Sequence, residues 1–309
     1  MFMVLLSEFL GREEDIKHMN NSRICRLMSL VFVLLCGLQA ANSQKLKTEE
    51  IIAKHLEAMG GAETLQSVTT RVVGGTVVAT FKEPGTGQVG GSVVLASEGP
   101  KNVIAMVFEN ATNYPHEKVG FDGKDVSTSY ASPGARSTLG DFLWTYKAIV
   151  KQGVFGGSLS QAWPLLDLTK SKVKVESGGT KKIGDRLTHQ LKFYPSGTDV
   201  RVTLFFDAET FQHVRTEYYR SIVAQMGRTP ENSASESESR YKVVEDFGDF
   251  KKEGGLTLPH SYKISMEITS RQGDFRADWA MALSGFQFNQ HIDPTVFDVD
   301  DKKKVSNSQ

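Results

Sequence analysis

Apolar and polar residues alternate with a period of two along much of this chain. Leu187, His189, Leu191 and Phe193 alternate with Thr188, Gln190 and Lys192, and Val200, Val202, Leu204 and Phe206 with Arg201 and Thr203. Tyr262, Ile264, Met266 and Ile268 alternate with Lys263, Ser265 and Glu267 in the same way. Side chains on a strand point alternately to its two faces, so such neighbouring runs predict antiparallel sheet with one face wet. Further strands are expected at 71–81 and 88–97, joined by the turn signal Glu83-Pro84-Gly85-Thr86-Gly87, and at 101–109, 117–121 and 126–130. Others are expected at 211–220, 241–247 and 275–283. The run 71–81 is apolar on both parities: Val73, Val77, Ala79 and Phe81 on one, Val72 and Val78 on the other. A strand of that kind is covered on both faces or faces an apolar cavity.

Helical spacing occurs in two places. Thr48 is placed to cap a helix running to Met59, with Ile51, Ile52, His55, Leu56 and Met59 on one face and Gly60-Gly61 as the stop. His55 there reads as a packed or boundary histidine rather than a ligand. A short turn over 62–66 follows. Residues 141–150 have helical spacing and end at Gly153, and 158–168 reads as a second short helix limited by Pro164. This insert, 139–168, carries Trp144 and Trp163, two of the three tryptophans, with Gly153, Gly156 and Gly157 between its helices. Two readings stand side by side: a static plug at the end of a sheet, or a movable apolar lid. The Ser- and Glu-rich stretch 227–240 reads as a long loop, because strand pattern continues on both sides. The tail 301–309 is expected to be disordered.

Composition narrows the class. Apolar residues make up 39% and charged residues 23%, a soluble globular balance. Lys+Arg and Asp+Glu are 36 each, and the basic residues are scattered, which argues against nucleic-acid binding. Arg23 and Arg26 precede the apolar run Leu27–Cys36, which is followed by small residues. That pattern reads as a secretory signal peptide, with Met19 as the expected start and cleavage before Gln44; Ala40 is a second candidate cleavage position. The expected organisation is therefore an upstream extension plus signal over 1–43 and one β-rich domain over 44–300. Both cysteines, Cys25 and Cys36, fall within the leader, so the mature domain has no disulfide or thiolate ligand. Cys36 is alternatively a lipidation site, which would anchor the protein to a membrane.

Candidate catalytic motifs fail on context. Gly85-Thr86-Gly87-Gln88-Val89-Gly90 matches a dinucleotide fingerprint by letter, but strand-like Ser92-Val93-Val94-Leu95 follows where a helix N-terminus would have to hold the pyrophosphate. Gly157-Ser158-Leu159-Ser160 lacks the second glycine of a nucleophile elbow and the strand before it. Histidines 55, 116, 189, 213, 260 and 291 stand apart, with no familiar metal-ligand spacing, and no metal or cofactor is expected. Asn110-Ala111-Thr112 is a glycosylation sequon by letter.

A resemblance emerges from the order of these features. A signal is followed by a capped helix ending in Gly-Gly, then strands with the turn Phe121-Asp122-Gly123-Lys124, a helical insert and many antiparallel strands. Val243-Val244-Glu245-Asp246-Phe247-Gly248-Asp249-Phe250 runs on to Gly254-Gly255-Leu256-Thr257-Leu258-Pro259-His260, and the chain closes with Phe288-Asn289 and Ile292-Asp293-Pro294-Thr295-Val296-Phe297. Over residues 46–299 this resembles the bacterial outer-membrane lipoprotein-sorting proteins, the superfamily of the periplasmic carrier LolA and its receptor LolB. The resemblance implies a mainly β (α+β) fold: a strongly curved, unclosed antiparallel β-barrel with an N-terminal helix and a helical lid over an apolar cavity. It implies an exported, periplasmic protein that binds a lipid, an acyl chain or a lipoprotein, and is not an enzyme. Candidate ligand contacts are Phe142, Trp144, Tyr146 and Trp163 in the lid and Val202, Leu204 and Phe206 on the wall. Two rivals remain: a structural or regulatory module docking on envelope proteins, which predicts a filled interior, and a hydrolase with a dispersed site, which predicts a polar cleft holding a perturbed histidine or carboxylate.

Overall fold

The computed structural model describes residues 46–131, 134–171, 173–222, 238–271 and 273–300. The expected leader, both cysteines, most of the polar stretch 227–240 and the tail 301–309 lie outside the described residues. Two helices open the described chain, α1 (Thr48–Met59) and α2 (Gly61–Ser67). The Lys47 backbone N–H donates to the Glu50 carboxylate at 2.9 Å, so the helix begins one residue earlier than Thr48 as cap would place it. Five strands follow: β1 (Thr70–Glu83), β2 (Gly87–Glu98), β3 (Lys101–Phe108), β4 (His116–Phe121) and β5 (Val126–Thr128). The insert holds α3 (Thr138–Thr145) and α4 (Ala148–Lys151), then two 3₁₀ turns at Gly157–Leu159 and Pro164–Leu166, and α5 (Leu168–Ser171). Residues 158–168 are therefore not the single short helix expected. The left-handed Gly156 and Gly157 and the proline at Pro164 break the helical hydrogen-bond ladder.

Seven strands complete the fold: β6 (Lys174–Ile183), β7 (Arg186–Tyr194), β8 (Arg201–Asp207), β9 (His213–Ile222), β10 (Ser239–Glu253), β11 (Leu256–Thr269) and β12 (Phe275–Phe288). All pair antiparallel in one sheet of twelve, in the order β5-β4-β3-β2-β1-β12-β11-β10-β9-β8-β7-β6. The chain thus starts at the centre, walks to one edge, crosses by way of the insert to the other edge, and returns until β12 pairs with β1. Because the insert joins the two edge strands, it must pass over one face. That face is curled. β3 and β10 stand five strand spacings apart, about 24 Å in a flat sheet, yet Gly156 lies beside Ile104 of β3 and donates its N–H to Glu245 of β10 at 2.7 Å. The result is an unclosed antiparallel half-barrel with the insert inside the curl.

The core lies between this inner face and the helices. Val73 and Val77, Leu191 and Phe193, Val202, Leu204 and Phe206 of the sheet are buried with Leu139, Phe142, Leu143, Val150 and Leu159 of the insert. Ile51, Ile52 and Met59 of α1 join them. A second cluster sits on the outer face, where the C-terminal segment lays Ile292, Phe297 and Val299 against Ala96 and Val103, with Val72 packed beside them. A Cβ on Gly120 would overlap the Phe297 carbonyl, so glycine is what admits this segment. The double-parity apolar pattern of β1 thus reflects cover on both faces at Val72, whereas Val78 stays 37% exposed.

The alternation in β7 does not hold along its whole length. Leu187 is 46% exposed while Thr188 is buried and donates to the Lys181 carbonyl at 2.6 Å. A bulge at Ser177/Gly179 of the paired β6 lies beside the switch of face. A second bulge, in the pairing of β8 with β9, accompanies two successive buried residues, Phe205 and Phe206.

Candidate functional site

The insert is fastened to the sheet by two carboxylates placed on otherwise apolar inward parities. Glu245 follows Val243 and precedes Phe247 on β10, all three buried. Its Oε1 accepts the Gly156 N–H at 2.7 Å and the Tyr262 hydroxyl at 2.5 Å, and its Oε2 lies 2.5 Å from the Tyr218 hydroxyl. Burial pushes its pKa up to about 7 against the opposing pull of these donors. The Tyr218 oxygen also lies 3.1 Å from the Val154 carbonyl of the insert. One hydroxyl proton cannot serve both acceptors. A proton on Glu245 resolves this: the carboxyl donates to Tyr218, and Tyr218 donates to Val154.

Glu117 on β4 plays the same part at the other end of the insert. It accepts hydrogen bonds from the Tyr114 hydroxyl at 2.7 Å and from the hydroxyl of Ser137, the residue that caps α3 by accepting the Gly140 N–H at 2.8 Å. Trp279 of β12 donates its indole N–H to the Tyr114 oxygen at 2.8 Å. Burial again raises the Glu117 pKa to about 7. Arg71, buried on the inward parity of β1, donates to the Ser158 carbonyl at 2.6 Å; burial lowers its pKa to about 10, and its Nε and Nη2 meet no protein acceptor among the described residues.

Trp163 is held by histidine chemistry. His55 Nδ1 donates to the Phe211 carbonyl at 3.0 Å, which leaves Nε2 with a lone pair to accept the Trp163 indole N–H at 3.1 Å. His213 stacks on the Trp163 ring with centroids 4.7 Å apart, and its Nε2 lies 2.9 Å from the Thr216 hydroxyl. Burial lowers the His55 pKa to about 4, and burial followed by the charge of His55 lowers that of His213 well below its ordinary value. Both rings are thus neutral packing groups.

Glu245, Glu117, Arg71, His55 and His213 are all buried, and the hydrogen bonds they form with described residues are made within the fold; Arg71 Nε and Nη2 and His213 Nδ1 meet no protein partner among the described residues. Among the described residues, no group of three or more His, Cys, Asp or Glu is placed to hold a metal ion. No helix among them is long and apolar enough to cross a membrane.

Two openings flank the insert. One is a groove of about 650 Å³ between α2, the β2–β3 turn and the second half of the insert, lined by Leu65, Pro100, Trp163, Pro164 and Leu166 with Lys151, Gln152 and Gln161. The other is a pocket of about 220 Å³ beside β5, lined by Ser127, Thr128, Arg136, Trp144, Lys147 and Lys151, with Asp125 and Asp300.

The structure spreads the candidate contacts over three settings. Phe142, Val202, Leu204 and Phe206 are buried in the core between insert and sheet. Trp163 is buried but forms the inner wall of the groove. Tyr146 is half-buried against Phe142, at 4.9 Å between ring centroids. Trp144 is 38% exposed, with the Arg136 guanidinium 4.2 Å from its ring, and so faces the pocket rather than the apolar interior. Alpha-helical spacing explains this: Trp144 follows the buried pair Phe142-Leu143 and is turned to the outer side of α3. Glu117, Glu245 and Arg71 were not among the sequence candidates. Their signal is a charge on the buried parity of a strand.

Compared with known proteins, the chain matches no protein-family model and no curated protein. It is similar in fold to solved structures. One is a LolA superfamily protein from Nitrosomonas europaea, with 13% identity over 82% of this chain and 97% of that one and a TM-score of 0.44. Another is a DUF1329 family protein from Desulfovibrio piger, with 10% identity over 81% and 97% and a TM-score of 0.44. A third is an outer membrane lipoprotein-sorting protein domain from Vibrio parahaemolyticus, with 11% identity over 83% and 97% and a TM-score of 0.42. These are likenesses of fold, and no residue's role is carried across from them.

Proposed function

We propose that this chain is an exported, periplasmic carrier that takes up an acyl chain, as a lipid or as the lipid of a lipidated protein, between the half-barrel and its helical insert, and that it works by burial rather than catalysis. The observation that carries this reading is the insert itself. It is a separate apolar layer laid on the inner face, with the 650 Å³ groove open along its Trp163 side. That volume lies within the range of small-molecule sites, about 300–1,000 Å³. Each acyl CH₂ removed from water contributes about 0.8 kcal/mol, so a chain of about 14 carbons offers on the order of 10 kcal/mol before the entropic cost of binding. Phe142, Val202, Leu204 and Phe206 would meet such a chain once the insert lifts, and Trp163, Tyr146 and Trp144 would line its path. In this reading the leader over 1–43 is removed on export and residues 44–300 form the binding domain.

A second reading, an envelope-docking module, has one observation in its favour. The outer face carries an apolar groove of about 520 Å³ where Val94, Val107 and Val296 are 40–47% exposed.

A tether separates the two. The Gln161 N–H of the insert donates to Ser97 Oγ of β2 at 2.9 Å, so the two residues are neighbours across the boundary of insert and sheet, and Ser97→Cys with Gln161→Cys, bridged by a short bifunctional thiol cross-linker cleavable by reduction, tethers one to the other free of competing thiols in the domain. Uptake of a fluorescent fatty acid by the exported protein should fall on cross-linking and return on reduction. Uptake that is absent in every form, with no lipid retained in native mass spectrometry of protein purified without detergent, would overturn the carrier reading and leave docking.

A further inference from the structure

We propose that the carrier binds single-chain fatty acids head inward, with the carboxylate held by the buried guanidinium of Arg71 beneath the insert and the acyl chain in the Trp163 groove. This rests on the carrier reading above and names its ligand class. Three features of the structure carry it.

The first is a buried charge without a counterion. Arg71 sits on the inward parity of β1 and is 1% exposed. Burial lowers its pKa to about 10, so it stays protonated at neutral pH, and no carboxylate pulls against that shift. The buried carboxylates of the described residues are engaged elsewhere, Glu245 with Gly156, Tyr218 and Tyr262, and Glu117 with Tyr114 and Ser137. Buried charges are ordinarily paired, because desolvating a lone ion is costly. A ligand that carries one negative charge into the interior supplies the missing counterion.

The second is the geometry of the idle donors. Arg71 Nη1 donates to the Ser158 carbonyl at 2.6 Å, which fixes the guanidinium against the insert. Nε and Nη2 meet no protein acceptor among the described residues, and the Ser158 hydroxyl has no protein partner among them either. The N–H groups of Nε and Nη2 form one edge of the guanidinium and point the same way. That edge matches the two oxygens of a carboxylate, held by two parallel hydrogen bonds. Latch and free edge use different nitrogens, so a carboxylate need not displace Ser158. Space under the 3₁₀ turn is scarce: the gap between Ser97, Ile104 and Leu159 is about 10 Å³, room for about one water. A carboxylate is the smallest anionic head a lipid offers, whereas a phosphodiester brings a second substituent that the turn would have to clear.

The third is continuity with the groove. Arg71 of β1 stands directly opposite Ser97 of β2, and opposed residues share a face. Ser97 Oγ accepts the Gln161 N–H at 2.9 Å, and Gln161 lines the groove with Trp163, Leu65 and Leu166. The guanidinium therefore stands one strand in from the groove wall. A fatty acid has this same arrangement, an apolar chain ending in one charge.

The test uses three lipids that share one 14-carbon acyl chain: myristic acid (carboxylate), methyl myristate (neutral) and lysophosphatidylglycerol (phosphodiester). Acetate serves as the free anion. Affinities are measured on the exported protein by displacement of a fluorescent acyl ester, for the parent and for Arg71→Met. The variant should fold and keep its far-UV circular dichroism, because an apolar side chain of similar length replaces an unpaired buried charge. The expected result is that the acid binds the parent about tenfold or more tightly than either other lipid, as hydrogen bonds between charged groups give. In Arg71→Met the ratio of acid to ester should fall to about one; taking the ratio removes any general effect of the variant on the insert. A second measurement needs no variant: myristic acid labelled with ¹³C at the carboxyl, bound to the parent at pH 7, should resonate as the ionised acid. Equal affinity for acid and ester, a ratio untouched by the variant, or a bound acid that resonates as protonated would overturn the inference and leave acyl binding intact. Lysophosphatidylglycerol binding as tightly as the acid would overturn it too, since any anionic head would then serve. Acetate binding as tightly as the acid would do the same, showing an anion site unconnected to the groove. If none of the three lipids binds, the carrier reading falls as well.

Discussion

Replacing Glu245 by glutamine should make the protein more stable at alkaline pH while leaving it nearly unchanged in mild acid. Glu245 is fully buried and ordinarily titrates at 4.5; burial raises this to about 7. A group whose folded-state pKa is raised contributes stability that is fully present below the unfolded value and is lost as pH rises through the folded value. At about 1.4 kcal/mol per pH unit, the window from 4.5 to about 7 corresponds to roughly 3 kcal/mol lost between mild acid and pH 8. Glu117 acts in the same direction. His55 and His213 act oppositely, because their lowered pKa values give stability that is present above 6.5 and lost as pH falls. The parent's net pH profile is therefore a partial cancellation, and only the difference between parent and variant isolates Glu245. Glutamine mimics the protonated acid: its oxygen accepts from Gly156 and Tyr262, and its amide donates to Tyr218, freeing that hydroxyl for Val154. Urea unfolding at pH 5, 6, 7 and 8 should give parent and variant within about 1 kcal/mol at pH 5 and the variant ahead by about 2–3 kcal/mol at pH 8. Since an ionised Glu245 takes the Tyr218 hydroxyl proton as acceptor and leaves the Val154 carbonyl of the insert without its donor, acyl uptake by the parent should quicken above pH 7 and the variant's should not. Parallel stability curves over the whole range would refute the reasoning, because they would mean that Glu245 stays ionised with its donors at every pH.

Trp163→Phe should lower stability by about 1–3 kcal/mol, the cost of leaving the buried His55 Nε2 without its donor; a loss confined to area burial, with no change in the His55 environment by NMR, would contradict the assigned tautomer. Phe206→Ala should cost about 3–5 kcal/mol as a core cavity, whereas Trp144→Ala, at a 38% exposed position, should cost less than about 1 kcal/mol and yet weaken acyl-ligand retention. N-terminal sequencing of exported protein should begin between Ala41 and Lys45; a chain starting at Met1 sinks the expected leader, and acylated Cys36 moves the protein to a membrane anchor.

The elements most legible from sequence are those whose pattern is local. Val202 and Leu204 of β8 and Tyr262, Ile264 and Met266 of β11 show the alternation, because there one face is buried and the other is more exposed. The expected bounds for β10 and β12 stop short at Phe247 and Leu283, because beyond them the pattern loosens: β10 runs to Glu253 and β12 to Phe288, held by ladder pairing rather than by further burial. Edge strand β6, Lys174-Val175-Glu176-Ser177-Gly178-Gly179-Thr180-Lys181-Lys182-Ile183, carries almost no apolar signal. It is a strand because its backbone pairs with β7, and its charged side chains suit an edge that must not recruit another sheet. The face switch at Leu187 and Thr188 was equally unreadable, since a bulge on a neighbouring strand leaves no mark in the run it displaces.

The sequence by itself determined the class of fold, the place of the insert and the apolar character of what it covers, because these follow from period and composition. Tertiary structure decided what each of those residues faces. The curl of the sheet brings Glu245 and Ile104 to the same glycine from strands far apart in the ladder, and it turns two isolated histidines into a cradle for Trp163. Trp144 and Trp163 belong to the same insert, yet one ends beside cations at the rim and the other in the wall of a groove. The physical reason is that alternation encodes only inside against outside, whereas a site is set by which insides meet, and that depends on long-range curvature that no single segment encodes.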